Sequence, residues 1–247
     1  MKPKVAFFDF ACCEGCQLQI VNLENELLDL LQHVDVVEFR EAMSETAASY
    51  DVSFIEGTIN RPQDEARLKD IRARSGILVA MGNCAHTGNI NYLRNYRPAE
   101  WHLKEVYGEA AGLFEAGEVK AVDDVVAVDF YLPGCPINKY EFVELAKALV
   151  LGKKFELPTY PVCVECKMAG NVCVYELGQH CLGPVTRAGC GAACTSQGHY
   201  CFGCRGLIPN PNVDAEKEVL QKYGLKLDES IARFKHFLGK HGREVTA

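Results

Sequence analysis

The sequence predicts an α/β protein, a parallel sheet flanked by helices, followed by a smaller cysteine-rich and mostly irregular region. Two observations carry this reading. Across residues 1–157, short apolar runs alternate with amphipathic stretches of helical period, which is the pattern of successive βα units. After Leu157-Pro158 the composition changes, and residues 159–212 are rich in Cys, Gly and Pro with little periodicity. The boundary divides the chain into a domain over 1–157 and a module over 158–247.

Lys4–Phe10 reads as the first strand. A helix is predicted over Gln17–Leu31, with Leu18, Val21, Leu27, Leu28 and Leu31 forming its apolar stripe. Asp35–Phe39 and Val52–Ile55 are the second and third strands. Arg61–Arg74 is helical, with Pro62 suited to its first turn. Gly76–Met81 supplies the fourth strand and Val125–Leu132 the fifth, with residues 97–124 inserted between them. Lys139–Leu151 closes the unit as a helix that Gly152 terminates. Beyond the cysteine-rich stretch, Asp214 is placed to cap a helix ending at Gly224, and Asp228 a helix ending at Gly239.

Thirteen cysteines in 247 residues, eight of them between Cys163 and Cys204, indicate a disulfide framework or a thiolate metal scaffold. Met1-Lys2-Pro3-Lys4 runs straight into Val5-Ala6-Phe7-Phe8, with no secretory pattern and no twin arginine. The odd count also suits disulfides poorly. Reduced thiols on a soft metal and a cytoplasmic location are therefore expected. No apolar run is long enough to span a bilayer. A net charge of −7 without a basic patch argues against nucleic acid, so the expected partners are proteins.

The first five cysteines fall at predicted strand ends: Cys12, Cys13 and Cys16 after the first strand, Cys84 after the fourth, Cys135 after the fifth. In an open α/β sheet, ligands bind beyond the carboxyl ends of the strands, where the strand order reverses. Gly15, Gly82, Gly88 and Gly134 would allow close backbone approach there. Four converging thiolates suit zinc or an iron–sulfur cluster. The Cys13-Glu14-Gly15-Cys16 spacing favours Cys13 and Cys16 as ligands and leaves Cys12 directed into the fold. A strand-end cysteine can equally be a small buried hydrophobe, but three such ends together argue for a site. Cys163, Cys166, Cys173, Cys181, Cys190, Cys194, Cys201 and Cys204 suffice for two further tetrathiolate centres. Their spacing alone does not separate zinc from iron–sulfur.

Cys13-Glu14-Gly15-Cys16, Gly82-Asn83-Cys84-Ala85-His86-Thr87-Gly88 and Pro133-Gly134-Cys135-Pro136 together resemble the proximal-cluster motifs of the [NiFe]-hydrogenase small subunit. The cysteine-rich module is similar to that of the cytoplasmic, multisubunit branch. The resemblance implies a flavodoxin-like domain holding one [4Fe–4S] cluster through Cys13, Cys16, Cys84 and Cys135. It implies two more clusters, on Cys163, Cys166, Cys173 and Cys181 and on Cys190, Cys194, Cys201 and Cys204. Cysteine stands at Cys163 and Cys194, where periplasmic members carry histidine and proline, which suggests three [4Fe–4S] clusters. Quinone-reducing complex I has a related subunit with a tandem cysteine pair like Cys12-Cys13, but that subunit lacks the two-cluster module. Arg187-Ala188-Gly189-Cys190-Gly191-Ala192-Ala193-Cys194 only faintly echoes the nickel motif of large subunits, with both gaps wrong, so the chain itself is not expected to hold nickel.

The implied partners are a [NiFe]-hydrogenase large subunit, where hydrogen is split, and iron–sulfur or flavin acceptor subunits. This chain would carry electrons singly between them. Glu14, between two expected ligands, and Glu56, at the end of the third strand, are candidates for proton relay; each could equally be a solvated or helix-facing carboxylate. A zinc-stapled scaffold and a flavin-binding protein using the same crevice are the competing readings.

Overall fold

The computed structural model describes residues 2–115 and 117–242. It divides into two compact units, Met1–Lys154 and Phe155–Ala247.

The first unit is built on five parallel strands: β1 (Lys4–Asp9), β2 (Asp35–Phe39), β3 (Tyr50–Glu56), β4 (Ser75–Met81) and β5 (Phe130–Leu132). Their order across the sheet is β2-β1-β3-β4-β5, the flavodoxin-like arrangement whose direction of winding reverses between β1 and β3. The in-register pairs Phe7 with Phe54 and Ile55 with Ala80 align the strand ends. On one face Phe7 and Phe54 stack at 5.0 Å, and Phe54 meets Phe142 of helix α6 (Lys139–Val150) at 5.3 Å. The other face packs Ala6, Phe8, Ile55, Leu78 and Ala80 against Leu68 and Ile71 of helix α3 (Pro62–Arg74). Alternate residues of each strand thus serve opposite layers. Helices α4 (Gly82–Thr87) and α5 (Ala99–Tyr107) lie between α3 and α6 in sequence.

Three local expectations need correction. The predicted helix over residues 17–31 is two helices, α1 (Gly15–Val21) and α2 (Asn25–Leu31). Leu23 turns inward to 1% exposure and Glu24 takes a φ of 55°, which breaks the helical path. Ile20 and Leu23 make the buried contacts, whereas Leu18, Val21, Leu28 and Leu31 of the expected stripe stay exposed. β5 is shorter than expected because Asp129 replaces strand pairing: its carboxylate accepts the Leu78 N–H at 2.8 Å and pairs with Arg72 at 2.6 Å. Val125, Val126 and Val128 pack on the core from outside the sheet. The caps also differ. Asn212, not Asp214, accepts the Ala215 N–H at the start of α9 (Val213–Lys222), and Lys226, not Asp228, holds the cap position of α10 (Leu227–Leu238) without a side-chain bond.

The second unit has more order than its composition suggests. Helix α7 (Val162–Met168) carries Cys163 and Cys166, and the short α8 (Ala193–Ser196) carries Cys194. Leu220 of α9 and Phe234 and Leu238 of α10 enter one apolar cluster with Val162, Val174, Leu182 and Val185. The terminal helices therefore contribute the core that the cysteine-rich stretch lacks. Among the described residues, no helix is long and apolar enough to cross a membrane.

Glu216 of α9 lies inside this core at 2% exposure, and the Tyr175 hydroxyl donates to it at 2.6 Å. Burial pushes its carboxyl up to about 7, against the lowering effect of that hydrogen bond. The folded form therefore binds the proton more tightly than the unfolded chain does. The stabilising contribution is full below about pH 4.3, the unfolded value, and is lost as pH rises through about 7. Calorimetry is expected to show a midpoint that falls across this window, and a flatter profile for Glu216→Gln.

Candidate metal centre

The loops after β1, β4 and β5 bring the five predicted strand-end cysteines together at the carboxyl edge of the sheet. The chain leaves β1 through paired bonds between Ala11 and Thr58 (3.1 and 3.0 Å), which carry it past the end of β3. Cys12 and Cys13 follow. Glu14 then adopts a left-handed conformation (φ 60°) that turns the chain into α1, with Cys16 in its first turn. Glu56, at the end of β3, is 1% exposed and receives the Cys16 N–H on Oε1 and the Gln17 N–H on Oε2, both at 3.1 Å. Its carboxyl is pushed up by burial and drawn down by these two bonds. Glu14 instead faces Glu41, whose hydrogen bond raises its carboxyl.

Two glycines make room. A Cβ on Gly82 (φ +82°) would lie 2.5 Å from Cys16 Sγ, and one on Gly134 would lie 2.6 Å from the Pro136 carbonyl oxygen. The β4 and β5 loops are joined by the Asn83 N–H donating to Gly134 O at 2.7 Å. Asn89 completes the site. Its amide Nδ2 lies 3.5 Å from Cys84 Sγ and 3.3 Å from Cys135 Sγ, and its Oδ1 accepts from Asn83 Nδ2 at 3.0 Å. Asn89 was not among the predicted residues; its only sequence signal is a polar side chain directly after Gly88.

Cys84 is at the centre of the group. Burial raises its thiol to about 11, opposed by Asn89, with Cys135 and Cys13 nearby. Cys12 and Cys16 also border it: burial and Glu56 raise Cys12 to about 12 and push Cys16 higher still. The loops after β1, β4 and β5 thus place their thiols in one neighbourhood at the sheet edge. Thiols held protonated by burial become ligands when a metal displaces the proton.

In the second unit, burial pushes the Cys163 thiol up to about 12, and Cys181, Cys166 and Cys173 are its sulfur neighbours. A Cβ on Gly183 would lie 3.3 Å from both Cys163 Sγ and Cys181 Sγ. Cys194 borders Cys190, while Cys201 borders Cys204 and also Cys181. Glu165 of α7 fixes the Cys190 loop by accepting the Gly189 N–H at 2.9 Å and the Ala192 N–H at 3.3 Å. All thirteen cysteines are free thiols. Among the described residues, no three Cys, His, Asp or Glu side chains close on a single metal-ion position. The donor sets suit a polynuclear iron–sulfur group, which thiolates hold from its corners.

A family profile described as "NADH ubiquinone oxidoreductase, 20 Kd subunit" matches residues 13–149, a span that holds Cys13, Cys16, Cys84 and Cys135 and begins just after Cys12. The chain belongs to this family. Its relatives include the sulfhydrogenase 2 subunit delta of Pyrococcus furiosus, 37% identical over 93% of this chain and 96% of that one. A subunit of the vhu F420-non-reducing hydrogenase of Methanocaldococcus jannaschii is 33% identical, over 82% and 81% of the two chains. A chain in the crystal structure of an NAD+-reducing [NiFe]-hydrogenase is similar at 26% identity and a TM-score of 0.58, covering 64% of this chain and 96% of its own. The resemblance read from the three cysteine motifs therefore holds, and the chain groups with the small and delta subunits of multisubunit hydrogenases, oxidoreductases acting on hydrogen.

Gly82→Ala tests the geometry. A left-handed alanine costs about 1–2 kcal/mol, and crowding against sulfur about 1–3 more. Urea denaturation is expected to show a loss of about 2–5 kcal/mol, while alanine at the open Gly191 costs only the backbone part.

Proposed function

We propose that this chain is the electron-relay subunit of a cytoplasmic [NiFe]-hydrogenase and holds three [4Fe–4S] clusters. The observation that carries the reading is the meeting of thiols from three strand-end loops around Cys84, with the Asn89 amide donating to two of them. Cys13, Cys16, Cys84 and Cys135 would hold the first cluster. Cys163, Cys166, Cys173 and Cys181 would hold a second, supported by the sulfur neighbours of Cys163. Cys190, Cys194, Cys201 and Cys204 would hold a third. The thirteen free thiols agree with a reducing compartment.

When bound, such clusters supply one-electron redox chemistry. The chain's own residues do the rest. Glu56 fixes the first turn of α1 and so the direction of Cys16. Its two bonds to backbone amides make it a positioning group more than a proton carrier. Glu14, paired with Glu41 at the surface, is the better placed of the two to exchange a proton. Hydrogen would be activated in the large subunit, and acceptor subunits carrying iron–sulfur or flavin groups would take the electrons onward. The curated relatives cover the cysteine-rich module as well as the sheet, which favours this reading over a complex I-like quinone-reducing role. Zinc staples and a bound flavin have no comparable support.

Anaerobic purification is expected to yield about 12 iron and 12 acid-labile sulfide per chain. Zinc without sulfide would overturn the assignment. Cys135→Ser should lose about 4 of those iron atoms and leave the other two clusters assembled. If Cys12→Ser shares that loss and Cys13→Ser does not, the ligand choice in the first loop is reversed. Asn89→Leu removes N–H donors that favour the more negative, reduced state. Potentiometric titration followed by EPR should show the affected potential fall by about 40 mV for each bond worth ~1 kcal/mol.

A further inference from the structure

The second unit carries a small aromatic and basic pocket beside Cys201, one of the proposed cluster ligands. Its volume is about 160 Å³, and Cys201 lines it together with His180, Tyr200, Phe202, Arg233 and His236. Its walls are rings in mutual contact. Tyr200 and Phe202 meet at 4.4 Å, and Phe202 meets Phe237 of α10 edge-on at 5.8 Å. The Arg233 guanidinium lies 4.9 Å from the centre of the Tyr200 ring and donates to the Tyr200 hydroxyl at 2.6 Å. Arg233 makes no ion pair among the described residues. His180 Nδ1 is buried without a hydrogen-bond partner among them.

A half-buried guanidinium held in place by an aromatic ring, with no carboxylate of its own among the described residues, is prepared for an anionic group from elsewhere. The space is too small for a nucleotide or flavin, whose sites run to about 300 Å³ or more. It fits one carboxylate side chain. The second unit is close to neutral, with ten Lys and Arg against nine Asp and Glu over residues 155–247, whereas residues 1–154 have sixteen against twenty-four. An acidic partner therefore meets less repulsion here, even with Glu229 one turn before Arg233 and near His180. Lys235 and His236 follow Arg233 on the same helix. The geometry points to this pocket as the docking point of an acidic electron-transfer protein, which seats a carboxylate on Arg233 and brings its redox centre toward Cys201. The inference rests on the relay reading and names both the partner's chemistry and the place of exit.

Each encounter moves one electron from this chain to the oxidised centre of the partner. No bond is made or broken and no proton is transferred, so the two electrons of one hydrogen molecule leave in two successive one-electron transfers.

The test uses the complex of this chain with its large subunit, stripped of acceptor subunits, and an acidic two-[4Fe–4S] ferredoxin as the probe. Binding of the oxidised ferredoxin is measured by surface plasmon resonance over a range of salt, and hydrogen-dependent reduction is measured with the ferredoxin and with benzyl viologen. Arg233→Glu is expected to weaken ferredoxin binding about tenfold or more and to flatten its salt dependence. Arg233→Lys should retain affinity within about threefold, since it keeps the charge. Viologen reduction and iron content should match the parent in both variants. Equal ferredoxin binding and reduction in the parent and Arg233→Glu would overturn the docking site and leave the relay reading intact. Absence of iron–sulfur clusters from the parent complex would overturn both. Loss of viologen reduction with ferredoxin binding unchanged would assign Arg233 to the integrity of the fold and overturn the docking role.

Discussion

The two hydrogen bonds from the start of α1 to Glu56 hold the centre of the first unit together. A carboxyl at 1% exposure is costly unless its oxygens are occupied. The first amides of a helix, which have no intrahelical partners, meet that need and are met by it. The pairing forms where the strand order reverses, between the loop leaving β1 and the end of β3. Once it is made, Cys16 has a fixed direction, and only a glycine at position 82 leaves space for its sulfur. The Gly134 carbonyl then takes the Asn83 amide, so the last loop is set against the fourth. The convergence of distant cysteines is built from a chain of backbone contacts.

Much of this was legible from periodicity. β1, β2, β3 and β4 follow from runs of alternating or continuous apolar residues, and the cysteine positions follow from where those runs stop. The errors have physical causes. Residues 17–31 keep helical spacing through a break that is set by the burial of Leu23 and by an unusual φ at Glu24, neither of which periodicity records. Val125, Val126 and Val128 have strand propensity, yet Asp129 supplies the bond that a longer β5 would have made. Asn89 escaped notice because its role depends on reaching two thiols from different loops, 46 residues away in the case of Cys135.

The cysteine-rich unit shows a different limit. Its middle stretch reads as too poor in apolar residues to fold alone, and the missing residues come from further along the chain. Leu220, Phe234 and Leu238 lie on helices whose own sequence says nothing of cysteines, yet they share a core with Cys166, Cys181 and Cys201. Sulfur and hydrocarbon are interleaved, so the thiols are positioned by ordinary side-chain packing as well as by any group they bind. Glu216 is a buried carboxyl enclosed by that core and bonded to the Tyr175 hydroxyl.

Asn89 has one further consequence. A single amide group spans sulfurs from the fourth and fifth strand loops while its oxygen is held by Asn83. Neither loop can drift without disturbing the other, so the distance between Cys84 and Cys135 is stiff. A centre held in such a frame would change its shape little on gaining or losing charge. Low nuclear reorganisation of this kind lets an electron pass quickly with very little driving force, which a near-reversible reaction requires.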